Sequence, residues 1–220
     1  MQNSPLLQLL VLAGIAVFLI LRLKSVLGTR EGYESSDTAP PKVENSRRHD
    51  FEVIEGGPDH DVTDHVEEGS PEADALYTMK AIEPSFSVTE FVGGARGAYE
   101  MIVMGFERGN LDDIKSFLAE DIYETFKEVV DARTEQGLTI EAEFVGVREV
   151  KVVDATFDED TQEAEIAIRF MGELTSTVRN ADGEIIEGSP TEIKRQKDTW
   201  AFARRMGTDD PNWLLVSTDA

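Results

Sequence analysis

From Met1 to Leu21 the chain carries no charged side chain, and from Leu6 the run LLQLLVLAGIAVFLIL is interrupted only by Gln8. About 20 apolar residues in a helix are just long enough to cross the hydrocarbon core of a bilayer, so this feature restricts what the chain can be before any other is read. A cleaved secretory signal has basic residues ahead of its apolar stretch and small residues at a cleavage site, and neither is found here. The basic residues Arg22, Lys24 and Arg30 follow the run instead. By the positive-inside rule they hold the C-terminal side in the cytoplasm. The expectation is one transmembrane helix, Leu6 to Leu21, within an anchor over residues 1–30, followed by a domain facing the cytoplasm.

Composition narrows the remainder. The 220 residues contain 44 acidic and 21 basic side chains, a formal net charge of -23, and no cysteine. Such an excess of acid repels phosphate backbones, so nucleic acid is not an expected partner. The lack of cysteine removes disulfides, thiol nucleophiles and thiolate zinc sites. Residues 31–69 are rich in Asp and Glu, with Pro40, Pro41, Gly56, Gly57 and Pro58 among them and few large apolar residues, and they read as a disordered linker. All three histidines, His49, His60 and His65, fall in this stretch near Asp59, Asp61 and Asp64. Their spacing matches no closed zinc or calcium pattern, so no metal and no cofactor are expected.

Regular structure is expected from Ser70. Ser70-Pro71-Glu72 reads as an N-cap with proline at the first helical position, and Ala73, Leu76, Tyr77 and Lys80 then share a face. Ser87 with Glu90 makes a capping box, followed by Phe91, Ala95, Ala98, Ile102 and Phe106 at helical spacing up to Gly109. Glycine costs helix stability, so the cluster Gly93, Gly94 and Gly97 points to close approach of another backbone. Asn110 is placed to cap a short helix over Ile114, Phe117 and Leu118; Ile122, Phe126, Val129 and Val130 mark a longer one ending at Gly137. The period then changes to two. A long strand from Ile140 to Val153 with a bulge near Gly146, a second strand through Ala164 to Phe170, a polar connection from Asn180 to Gly188, a third strand from Ile193 to Arg205, and a last one from Trp213 to Ser217 form an antiparallel meander. Helices followed by such a meander predict an α+β layer with a bent sheet curling against the helices.

The run Phe91-Val-Gly-Gly-Ala95-Arg96-Gly-Ala98-Tyr99-Glu100-x-Ile102-x3-Phe106-x2-Gly109, then Tyr123-x2-Phe126, Arg133-x3-Gly137, Asp198-x-Trp200-x-Phe202-x-Arg204 and Pro211-Asn-Trp213 resembles the Tim44-like domain family over residues 70–220. The apolar segment followed by Arg22-x-Lys24-x3-Gly28-x-Arg30 is similar to the membrane-anchored bacterial members. The resemblance implies a cystatin-like or nuclear-transport-factor-two-like cone of helices and sheet, with an apolar pocket whose lining would include Phe91, Ile102, Phe106, Trp200 and Phe202. It implies a non-enzymatic adaptor at the bacterial inner membrane, with membrane proteins and translocation or chaperone components as partners. The long N-terminal chaperone- and translocase-binding segment of the mitochondrial tether is replaced here by the span and the acidic linker.

Two other functional classes stand beside the adaptor. A carrier or sensor would hold a lipid or other apolar ligand in the cone. An enzyme would have to rely on carboxylates, because no His or Cys follows Ser70. Its best candidate is Asp198, between Gln196 and Trp200 in the alternation, with Arg204 as the expected opposing cation; the competing reading of Asp198 is a structural carboxylate.

Overall fold

The computed structural model describes residues 59–219. The transmembrane segment Leu6 to Leu21, the basic flank, His49 and the linker up to Pro58 lie outside the described residues, and among those described no helix is long and apolar enough to cross a membrane.

Four α-helices precede a four-stranded sheet. Helix α1 spans His60–Thr63, α2 Pro71–Ile82, α3 Val88–Arg108 and α4 Glu120–Glu135, with 3-10 turns at Leu111–Asp113 and Lys115–Phe117 between the last two. Strands β1 (Thr139–Asp158), β2 (Glu163–Arg179), β3 (Ile185–Arg205) and β4 (Leu214–Asp219) form an antiparallel meander in the order β1-β2-β3-β4. The α+β expectation therefore holds for the described part of the chain.

Helix starts and stops follow the sequence signals. The Ser70 hydroxyl accepts the Ala73 amide, and Pro71 occupies the first turn of α2, where no intrahelical donor is lost. Ser87 accepts the Glu90 amide, and α3 ends on Gly109 at φ 73°, a left-handed position suited to a residue without Cβ. Asn110 departs from expectation: its side chain makes no capping hydrogen bond, and the chain after it forms the two 3-10 turns. This segment is held from outside instead. Leu118 forms a parallel bridge with Leu215, and the Ala119 amide donates to the Leu215 carbonyl at 2.9 Å.

β1 bends through register shifts at Phe144/Gly146, Val147/Glu149 and Val152/Asp154, the first coinciding with the expected bulge. Its curvature brings the inner face of β2 (Ala164, Ile166, Ile168 and Phe170, all fully buried) against α2 and α3. β3 begins at Ile185, earlier than the hydrophobic pattern predicts, because its first half is held by the ladder to β2 with little burial.

The folded unit also begins before Ser70. Asp59 to Gly69, assigned to the linker on composition, carries α1 and buries Val62 completely. Asp61 anchors it: the carboxylate accepts hydrogen bonds from the Ser87 hydroxyl, the Val88 and Thr89 amides, and Lys80 Nζ. It thus caps α3 from a different element. Burial alone raises the Asp61 pKa, but Lys80 and the two amides outweigh it and hold the carboxyl well below the usual carboxylate range.

Candidate functional site

The residues expected to line an apolar pocket pack against one another instead. Phe91, Ile102, Trp200 and Phe202 belong to the buried core, and Phe106 packs partly buried at its margin. The Phe91 ring lies 4.5 Å from that of Trp213 and 6.2 Å, edge-on, from that of Phe202. Interlocked aromatics at these separations are core packing. The Phe106 ring lies 4.6 Å from that of Phe126, tilted by 47°, and 4.4 Å beneath the Arg133 guanidinium, fastening α4 to α3.

Tyr99 sits at the centre of this core. Its ring stacks on Phe170 at 4.4 Å with planes 15° apart and meets Trp200 at 4.7 Å. The hydroxyl donates to Asp198 Oδ2 at 2.5 Å. The close approach depends on Gly172, where a Cβ would stand 2.7 Å from the Tyr99 hydroxyl oxygen. Burial raises the Asp198 pKa above its ordinary value, opposed by hydrogen bonds from Tyr99 and Gln196. Burial, then the neighbouring carboxylate, pushes the Tyr99 hydroxyl well above its usual range. The pair matches the structural reading of Asp198: a carboxylate satisfied by a phenol that is itself held protonated.

Arg204, the cation expected to face Asp198, goes elsewhere. It pairs with Glu83 beyond the end of α2, donates to the Pro211 carbonyl at 3.3 Å and stands 5.6 Å over the Trp213 ring. Glu83 also accepts the Gly207 amide, so this carboxylate joins the end of α2 to the turn between β3 and β4.

One open concavity lies between α3, the turn after it and β1. It measures about 480 Å³ and is lined by Gly97, Met101, Met104, Ile114 and Phe144, with Glu100, Arg108, Asp113 and Glu143 among its polar groups. Met101 is 43% exposed there, whereas Met104 is buried. No second backbone among the described residues approaches the glycines of α3, contrary to expectation: a Cβ at Gly93, Gly94 or Gly97 would meet nothing within 4 Å. His60 and His65 do not converge. His60 lies 3.8 Å from Asp64 on the surface, and the His65 Nε2 shares a 3.0 Å hydrogen bond with the Thr89 hydroxyl. No cluster of three metal-binding side chains occurs among the described residues.

Three fasteners carry no local signal: Asp61, Glu83 and the Tyr99–Asp198 pair. Tyr99, Asp198 and Arg204 do fall within the family-like run, and the structure gives those positions their reason as joints between elements.

The family model of the Tim44-like domain matches residues 72–220. The human mitochondrial import inner membrane translocase subunit TIM44 is 22% identical over 151 residues, 67% of this chain and 33% of that protein, so the chain spans about a third of that relative's length. A solved structure, the intermembrane space region of the chloroplast protein ARC6, superposes with a TM-score of 0.36 at 10% identity, covering 56% of this chain and 94% of that one, too loosely to bear on fold or function. With residues 72–220 matched, the chain belongs to the Tim44-like domain family.

Proposed function

We propose that this chain is a non-enzymatic adaptor. Residues 1–30 anchor it in the bacterial inner membrane, the folded domain lies on the cytoplasmic side, and it holds client or partner proteins near the bilayer during protein translocation or membrane-protein assembly. One observation carries this reading: the match of residues 72–220 to the Tim44-like domain, whose human relative is a subunit of an import translocase. The helices and bent sheet serve as a cystatin-like or nuclear-transport-factor-two-like scaffold presenting surface to translocation or chaperone components. The packed aromatic core agrees with a rigid scaffold, and Asp198, bonded to Tyr99, acts as a joint in it. Anchoring works through effective concentration, since a domain tethered beside its clients meets them far more often than a free one.

One observation favours a carrier of lipid or another apolar ligand: the groove of about 480 Å³ that holds exposed Met101 beside Phe144. A photo-crosslinking residue at Met101, with the full chain isolated from native membranes in mild detergent, separates the readings. The adaptor reading expects protein adducts containing translocase or chaperone subunits. Lipid bound in equal amount, with no protein adduct, overturns it in favour of the carrier.

A further inference from the structure

β2 turns Ile168, Phe170 and Leu174 into the core, so by the two-residue period of a strand Arg169, Met171 and Glu173 stand on the opposite face of the sheet. The ladders supply their neighbours. Glu149 and Lys197 flank Met171, and Arg195 lies opposite Glu173. On β1 the register slips between Val147 and Glu149, and the extra residue of that bulge is Arg148.

Glu173 is buried beneath two arginines. Its Oε2 accepts Arg148 Nε at 2.8 Å and its Oε1 accepts Arg195 Nε at 3.0 Å, so one carboxylate holds two guanidinium groups side by side and leaves one positive charge over. Both arginines reach Glu173 through Nε, and their Nη groups have no hydrogen-bond partner among the described residues. The two side chains are 66% and 73% exposed. Lys197, in the next row, is exposed and makes no ion pair with the described residues. One row further Lys151 stands opposite Arg169, which pairs with Glu149 at 2.9 Å. Five cations therefore share this face with two carboxylates, in a chain whose net charge is -23. Guanidinium forks whose orientation is fixed in advance suit anionic oxygens, because the fork matches a carboxylate bidentately.

We propose that this face of the sheet, around Arg148, Arg195 and Lys197, docks a segment of a partner protein that carries several adjacent Asp or Glu side chains. The free Nη groups of the two arginines take one carboxylate and Lys197 takes the next. A site this exposed gives a single small anion little, since each solvated ion pair is weak, whereas a run of carboxylates engages several cations at once. A membrane surface is the poorer occupant. Further along the same face lie Asp154, Glu163 and Glu165, close enough that, after burial, the first two also raise the Glu165 pKa. A broad anionic surface meets those carboxylates as well as the cations; a narrow segment crosses only the cationic rows. The same charges that reject other anionic surfaces select this one shape of ligand. The inference rests on the adaptor reading for the origin of the segment; the docking itself is tested separately.

The full chain in detergent micelles is titrated with a capped peptide of six glutamates, and with matched peptides of six glutamines or six lysines. The proposal expects the Glu peptide to shift the backbone amide resonances around Arg148, Met171 and Arg195, and each control peptide to bind about tenfold more weakly or not at all. Arg148→Gln and Lys197→Gln should each weaken Glu-peptide binding about two- to fivefold, an effect that shrinks at high salt. Lys127→Gln, which removes an exposed cation from α4, should leave it unchanged. Because Lys197→Gln breaks no ion pair, its melting temperature should equal the parent's, so its weaker binding is not a loss of fold. Absence of Glu-peptide binding, shifts confined to other surfaces, or equal weakening by Lys127→Gln overturns the proposal. In native membranes a photo-crosslinking residue at Met171 is expected to give protein adducts joined within an acidic segment. Adducts of lipid alone, or cross-links confined to copies of this chain, overturn the docking site. Protein adducts joined outside any acidic segment also overturn it and leave the adaptor intact. Peptide docking on this face, with no protein adduct in membranes, retains the cationic site and removes the adaptor.

Discussion

Tyr99 Oη donates a 2.5 Å hydrogen bond to Asp198 Oδ2, joining α3 to β3 across 99 residues of chain. Because burial raises the Asp198 pKa, the folded state binds its proton more tightly than the unfolded chain does. The contribution of this carboxyl to stability is therefore greatest at low pH and declines as pH rises from the ordinary value of 3.8 through the raised folded value. Asp198→Asn keeps an acceptor for Tyr99 and removes the buried charge, so it should be equally or more stable at pH 7, with a flatter pH dependence. Tyr99→Phe should cost about 1–3 kcal/mol, because the half-buried carboxylate loses its donor. Urea denaturation between pH 3 and pH 8 reads both; an Asn variant clearly less stable at pH 7 contradicts this account.

The Glu83–Arg204 pair has the opposite sign. The Arg204 guanidinium holds the Glu83 carboxyl below its ordinary value of 4.5, so the stabilisation is fully present above that pH and disappears as pH falls through the depressed folded value. Arg204 is buried and its Nε already lacks a partner, so deleting the carboxylate leaves a cation with little solvation. Glu83→Gln should cost about 3 kcal/mol at pH 7. The gap from the parent should narrow when unfolding is repeated in acid; a gap independent of pH would show that the charge is not what matters.

What could be read locally and what could not separate cleanly at these joints. Ser87 with Glu90 and the spacing of Phe91, Ala95 and Ile102 announce α3, because capping and amphipathic burial leave marks within a few residues. Asp61 leaves none, since its acceptors' partners lie 19 to 28 residues away and its neighbours have the composition of a linker. The first half of β3 escapes for another reason: Glu187 and Lys194 are exposed, and the ladder to β2, where they face Val178 and Leu174, makes them a strand. The family-like run marked the right positions, yet it pointed to a pocket where the aromatic side chains in fact fill the core.

Two glycine substitutions should move stability in opposite directions. Gly172→Ala would place a Cβ 2.9 Å from Tyr99 Cε1 and force the ring off Phe170, a strain of about 1–3 kcal/mol. Gly93→Ala meets nothing within 4 Å in a helix interior, so it should stabilise by about 0.5–1 kcal/mol through helix propensity. Thermal unfolding of the two variants checks the contrast. A Gly93→Ala protein that is more stable but loses the protein adducts expected of the proposed adaptor would place the open face of α3 among the proposed contacts.

The start of the folded unit provides the last test, because composition and structure disagree there by eleven residues, Asp59 to Gly69. A fragment beginning at Ser70 retains α2, α3 and the whole sheet but loses Val62, which is fully buried, and Asp61, which caps α3. Burying a valine is worth about 1.5 kcal/mol, and a lost N-cap costs about 1 kcal/mol. Lys80 would also be left without the two carboxylates, Asp59 at 2.6 Å and Asp61 at 2.8 Å, that now surround it. A fragment from Asp59 should therefore exceed one from Ser70 by about 2–3 kcal/mol in urea unfolding, with Asp61→Ala in the longer fragment recovering roughly the cap's share. Equal midpoints for the two fragments would mean that α1 rests on the domain without stabilising it, and would return the boundary to Ser70.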